Sequence, residues 1–137
     1  AVYIILKRED QILIVRRCNT GYADGNYHLP AGHVEEIEFP TVAMIREAKE
    51  ELGIELNAED LELVHVLYRT KHDETGDRID LFFTAEKWSG EIINMEPEKC
   101  DDLKWVKVNE LPKNTTPYIG HVLECISKNI FFSEFKI

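Results

Sequence analysis

Short apolar runs and polar punctuation alternate along this chain. Val2–Arg8 and residues 12–17 are apolar runs joined by Glu9, Asp10 and Gln11, a pattern that predicts a β-hairpin. Residues 18–26, with Gly21, Asp24 and Gly25, read as a loop, and residues 27–29 as a short strand ended by Pro30. A helix is predicted from near Pro40, a residue favoured in the first helical turn, to Gly53, a fitting residue just past a helix end. Downstream, residues 61–70 and 78–88 are strand candidates around a turn signal at 72–77, and residues 103–108 form another. Residues 116–128 carry Ile119, Val122, Leu123 and Ile126 at helical spacing, so they predict a second amphipathic helix. Phe131, Phe132 and Phe135 read as packing aromatics. The expected architecture is an α/β/α sandwich, a mixed sheet with one helix on each face.

Size and charge narrow this picture. At 137 residues the chain is expected to form one domain, 1–137, around one core. No apolar run reaches the ~18 residues of a membrane span, so no membrane partner is expected. The first residues read as a strand rather than a signal peptide, and the absence of an initial Met leaves room for native residues before Ala1. Cys18, Cys100 and Cys125 are odd in number and lack metal-ligand spacing, which suits idle thiols in a reducing, cytoplasmic compartment. A net charge of −10 argues against a nucleic-acid polymer as partner, because backbone binding needs a basic stripe. Polyphosphate substrates meet the same repulsion unless divalent cations fill the acidic cluster and invert the local field.

That cluster is the most informative stretch. From Gly32 the chain fits the spacing Gly32-x5-Glu38-x7-Arg46-Glu47-x2-Glu50-Glu51-x-Gly53-Ile54. On a helix with about 100° per residue, Glu50 and Glu51 lie near −60° and +40° of Glu47, so three carboxylates share one arc. Ile45, Ala48 and Leu52 fall on a different flank that can face a sheet, and Lys49 points away. An empty stripe of this kind repels itself, by several kcal/mol for two carboxylates ~4 Å apart at an effective dielectric near 20. Divalent cations remove the conflict, and hard oxygen ligands select Mg²⁺ or Mn²⁺ over zinc. Gly32 allows close backbone approach, so its carbonyl is a candidate ligand. Arg46 can hold Glu50 and, as a second partner, Glu38 in the preceding loop.

This spacing resembles the Nudix box of MutT-like pyrophosphohydrolases, and every fixed position matches. The resemblance extends to residues 12–17, to Tyr27–His33 ahead of the box, and to residues 102–112, which together span nearly the whole chain. Many members carry a glycine just before the loop glutamate, where this chain has Ile37, which leaves the loop conformation open. The resemblance implies an α/β/α fold, metal binding by Glu47, Glu50 and Glu51, and Mg²⁺-dependent hydrolysis with Mn²⁺ able to substitute. It further implies that one box glutamate, or a more distant one, is the base, and Glu47 is favoured as a ligand coupled to the attacking water. Aligning the tryptophan of residues 87–91 with a family landmark makes Glu96 a further metal ligand; a solvated acid is the alternative. Arg17 resembles a family arginine that touches phosphate or base. Asn114 resembles a base-reading asparagine, although a turn or capping role fits it as well.

The expected substrate is a nucleoside diphosphate derivative cleaved at its pyrophosphate bond. A nucleoside triphosphate giving monophosphate and pyrophosphate is favoured, oxidised or noncanonical forms included. Nucleotide sugars, dinucleotides and coenzymes remain alternatives, as does a non-catalytic Nudix-fold nucleotide sensor. A monomer or homodimer with a small nucleotide as its partner is expected. His28 and His33 read as polar loop residues, with substrate contact the alternative, His65 as a strand residue, and Trp105 and Tyr118 as packing or interface residues, with base stacking on one of them the alternative. Asp101 and Asp102 read as a solvated pair, with contact to a purine edge the alternative.

Overall fold

The computed structural model describes residues 1–70 and 76–137. Its strands are β1 (Val2–Arg8), β2 (Gln11–Arg17), β3 (Tyr27–His28), β4 (Ala31–Gly32), β5 (Glu62–Thr70), β6 (Arg78–Ala85), β7 (Cys100–Lys107) and β8 (Phe132–Lys136). The helices are α1 (Pro40–Leu52) and α2 (Pro117–Ser127), with short 3₁₀ turns at Ala58–Asp60 and Val108–Glu110. The strand order is β3-β2-β1-β6-β5-β8, with β4 also on β1 and β7 also on β2.

β1 is the hub of the sheet. It runs parallel to β6 from Val2 to Leu6, pairs antiparallel with β4 at Val2 and Tyr3, and meets β2 only at Lys7 and Arg8. The predicted hairpin is therefore real but splayed, and β2 spends most of its length against β7. Both faces of β1 are covered, which explains its unbroken apolar run. Val2, Ile4 and Leu6 pack with Ala43, Met44, Ala48 and Leu52 of α1, while Tyr3 and Ile5 pack with Ile119, Val122 and Leu123 of α2. The expected mixed sheet with a helix on each face is what forms.

The ends of α1 follow from local chemistry. Pro40 opens the helix, and Gly53 closes it at φ 70° with its N–H donating to Lys49 O at 3.0 Å. Two further helix-end carbonyls are met from outside, Leu52 O by Ile93 N at 2.9 Å and Glu51 O by Met95 N at 3.0 Å.

Several expectations need correction. β4 is not announced by any apolar run, since its residues are only Ala31 and Gly32. β7 starts at Cys100 rather than 103, and β6 stops at Ala85 rather than 88. The C-terminal phenylalanines are not all packing residues: they belong to or adjoin β8, parallel to β5, where Phe135 packs inward while Phe131 and Phe132 stay about half exposed. The turn read at 72–77 falls mostly on residues outside the described ones.

Candidate active site

A cavity of about 780 Å³ opens where α1, β4, β5, β6, α2 and the 18–26 loop come together. Glu47, Glu50, Glu51 and Glu96 all line it, alongside Gly32. Three of these acids come from one helix face, as the 3.6-residue repeat requires. Glu96 arrives from a separate loop, and the bond from Met95 N to Glu51 O pins that loop beside α1.

Gly32 matters because it has no side chain. A Cβ built there would lie 2.0 Å from Cδ of Glu47 and 2.3 Å from its Cγ. Glu47 therefore occupies the space a side chain would fill, against the backbone of β4. Its Oε1 accepts from Nη1 of Arg46 at 2.8 Å, so the carboxylate has little freedom to withdraw.

Arg46 is the clamp of the site. Its Nε and Nη2 donate to the two carboxylate oxygens of Glu38 at 2.8 and 3.0 Å, a bidentate pair. Nη1 also reaches Glu50 at 3.3 Å, and Nη2 donates to His33 O at 3.1 Å. One guanidinium thus ties the loop before the helix to two of the acids on it. The Arg46 guanidinium and the Glu35 backbone N–H together hold the Glu38 carboxyl down at about 2. Ile37, where a glycine is usual, takes the left-handed φ of 58° with its side chain wholly in solvent.

The acids themselves are under electrostatic stress. Burial pushes Glu51 well above the usual carboxylate range, and the neighbouring Glu47 and Glu96 push it further. Burial also raises Glu47, against the opposing pull of Arg46. Among the described residues, no three His, Cys, Asp or Glu groups already enclose an ion-sized space. What the site offers is a set of crowded hard oxygen donors on one cavity wall.

Arg17 also lines the cavity, but its guanidinium is engaged with the loop beside it. Nε donates to Tyr22 O at 2.8 Å and Nη2 to Thr20 Oγ1 at 3.1 Å. Asn114 lies off the cavity wall: its amide donates to Gly25 O at 2.8 Å, joining the 18–26 loop to the turn before α2. Asp101 accepts from Arg16 at 2.7 Å and Asp102 from the Tyr27 phenol, so neither faces the acids. Trp105 stacks on Trp88 with Arg8 above it, as a packing residue.

His28 is not a polar loop residue. It is 3% exposed, stacks on Tyr3 and contacts Tyr118 through Nε2 at 2.9 Å and Leu29 O through Nδ1 at 3.1 Å. Since a carbonyl can only accept, Nδ1 carries the proton and Nε2 accepts from the Tyr118 hydroxyl. Tyr118 in turn accepts from Tyr3 at 3.0 Å. Burial drives the His28 imidazole down to about 4, so it is neutral at ordinary pH.

The sequence reading also missed a buried ion pair in the cavity wall. Arg69 of β5 holds Asp80 of β6 through Nε at 2.7 Å and Nη2 at 3.3 Å, with 5% and 0% of the side chains exposed. A signal existed. Arg69 shares the inward parity of β5 with His65 and Leu67, and Asp80 shares that of β6 with Phe82. Opposite charges on the core parity of neighbouring strands mark a buried pair.

Residues 1–124 match the family model described as NUDIX domain. A "NAD-capped RNA hydrolase NudC" from Stutzerimonas stutzeri is 28% identical over 112 residues, covering 82% of this chain and 37% of that protein. The chain thus spans little more than a third of those relatives. An "8-oxo-dGTP diphosphatase" from Proteus vulgaris is 29% identical over 93 residues, covering 67% of this chain and 79% of that protein. A MutT NUDIX hydrolase structure from Burkholderia pseudomallei superposes with a TM-score of 0.82 at 28% identity, covering 90% of this chain and 93% of that one. The fold agrees with these matches, and the chain belongs to the Nudix hydrolase family, among its MutT-like members.

Proposed function

We propose that this protein hydrolyses the pyrophosphate bond of a nucleoside diphosphate derivative with the help of Mg²⁺, for which Mn²⁺ can substitute. The favoured substrate is a nucleoside triphosphate, oxidised or noncanonical forms included, giving a monophosphate and pyrophosphate. The observation that carries this reading is the gathering of Glu47, Glu50, Glu51 and Glu96 on one cavity wall, with Glu47 set into the gap left by Gly32. Carboxylates crowded on one wall, with burial pushing Glu51 well above the usual range, suit a site that divalent cations complete. Hard oxygen donors fit Mg²⁺ or Mn²⁺.

When bound, such ions neutralise phosphate charge and lower the pKa of a bound water. Glu47, Glu50, Glu51 and Glu96 are the residues that would hold them. Arg46 and Glu38 keep the ligand-bearing helix in register with the loop before it, so the acids do not have to reorganise. Glu47, set against the backbone of β4 and held by Arg46, is favoured as a ligand coupled to the attacking water. The net charge of −10 does not by itself bar larger substrates, since the NudC relatives are named for a capped RNA.

The test is turnover by the purified chain on a panel of nucleoside triphosphates, nucleotide sugars, dinucleotides and coenzyme A, with Mg²⁺ or Mn²⁺ present. Release of a monophosphate or of pyrophosphate is expected from at least one. Tight nucleotide binding without turnover of any of them would replace the enzyme by a sensor.

A further inference from the structure

The Arg69–Asp80 pair has more donors than the protein uses. A guanidinium carries five N–H groups in a fixed fork. Asp80 takes two of Arg69's, and Tyr22 Oη takes a third from Nη1 at a long 3.4 Å. One N–H on each Nη atom is left without an acceptor among the described residues. The side chain is 5% exposed and lines the cavity, and the Tyr118 ring covers one of its faces at 4.4 Å. Buried donors are almost always satisfied, so donors left over at a cavity wall point to an acceptor that arrives with a ligand.

Charge alone does not select the kind of acceptor. Asp80 is fully buried and offsets the charge of Arg69, with the Ala1 ammonium 3.8 Å from the same carboxylate and Arg78 on the same wall. Position selects it. β4, against which Glu47 stands, is separated from β5 by β1 and β6, three strand spacings or roughly 14 Å. With the phosphates at the acids, the far end of a nucleotide reaches the Arg69 end of the cavity.

We infer that Arg69 is a specificity-determining residue whose spare Nη donors bind the carbonyl oxygen of a keto nucleobase, an inference that rests on the nucleotide-hydrolase reading above. Guanine and thymine or uracil present an oxygen where adenine and cytosine present an amino donor. An amino group facing Arg69 sets donor against donor and leaves the buried N–H groups unmet. Asp80 and Tyr22 act as positioning residues: the first fixes the fork, and the second lends its hydroxyl from the 18–26 loop.

The experiment measures kcat/KM of the full chain for GTP, ITP and UTP against ATP and CTP, and in parallel the binding of GMP and AMP by calorimetry. Keto bases should be preferred by about 10- to 100-fold. Arg69→Lys keeps a cation beside Asp80 but loses the fork, and it should erase most of that preference, read chiefly as a higher KM for the keto-base substrates. Equal use of keto and amino bases by the unmodified chain overturns the inference and leaves the hydrolase reading standing. So does a preference that survives Arg69→Lys. If no nucleotide is turned over, the hydrolase reading falls, while tighter GMP than AMP binding still supports Arg69 and equal binding still overturns it. Should Arg69→Lys fail to fold, the base preference and the GMP-to-AMP ratio of the unmodified chain decide alone.

Discussion

Two single residues show how closely the site is drawn to its sequence. Gly32→Ala places a methyl group where Glu47 now lies, and Arg46 restrains Glu47 from stepping aside. The expected outcome is a fall in kcat on the order of a hundredfold, since an ångström of misplacement costs about that much. Circular dichroism should show an intact fold, and full activity would mean that the position of Glu47 is unimportant. Ile37 offers the opposite case. A β-branched residue at φ 58° is strained by roughly 1–2 kcal/mol, and its exposed side chain gives up no packing when removed. Ile37→Gly should therefore stabilise the protein by about 1 kcal/mol, read as a rise in the denaturant midpoint. An unchanged or lower midpoint would place the strain elsewhere.

At the scale of elements, α1 and the loop before it work as one unit through Arg46. Arg46→Lys keeps the charge but cannot make the bidentate contact to Glu38 while also reaching Glu47 and His33 O. Turnover should fall by about 10- to 100-fold with little loss of helix content. A variant as active as the wild type would reduce the clamp to a surface ion pair. This unit was legible in the sequence because its logic is local: the helical repeat places the acids, and Pro40 and Gly53 mark the ends. Other elements were not legible, for physical reasons. β4 has two small residues and exists only because β1 offers it a partner. β8 depends on the parallel edge of β5, more than sixty residues earlier in the chain. Arg69 and Asp80 meet diagonally across two strands, so parity marks both as inward while their contact depends on the register.

Over the whole molecule, the polar interior beside the cavity makes stability depend on pH. His28 has its folded value lowered to about 4 from an ordinary 6.5, so the unfolded chain binds more protons between those two values. Stability from the buried neutral imidazole is complete above pH 6.5 and is lost as pH falls towards 4. The total is on the order of 3 kcal/mol. Unfolding free energies measured at pH 7, 5.5 and 4.5 should decline for the wild type, and more steeply than for His28→Gln. Parallel declines would assign the acid sensitivity to other groups.

In the proposed function, the acids on α1, joined by Glu96, carry a metal-dependent hydrolysis of a nucleotide pyrophosphate bond. Its most direct test is steady-state turnover of the best nucleotide substrate, with Mg²⁺ and with a chelator, for the wild type, Glu50→Gln and Glu51→Gln. The expected result is activity that disappears with the chelator and falls by orders of magnitude in both variants. Without metal, both variants should remain folded, at least as stable as the wild type, because glutamine keeps the shape of each side chain and relieves the crowding among the acids. Undiminished turnover in the chelator, or in both variants, would contradict the account.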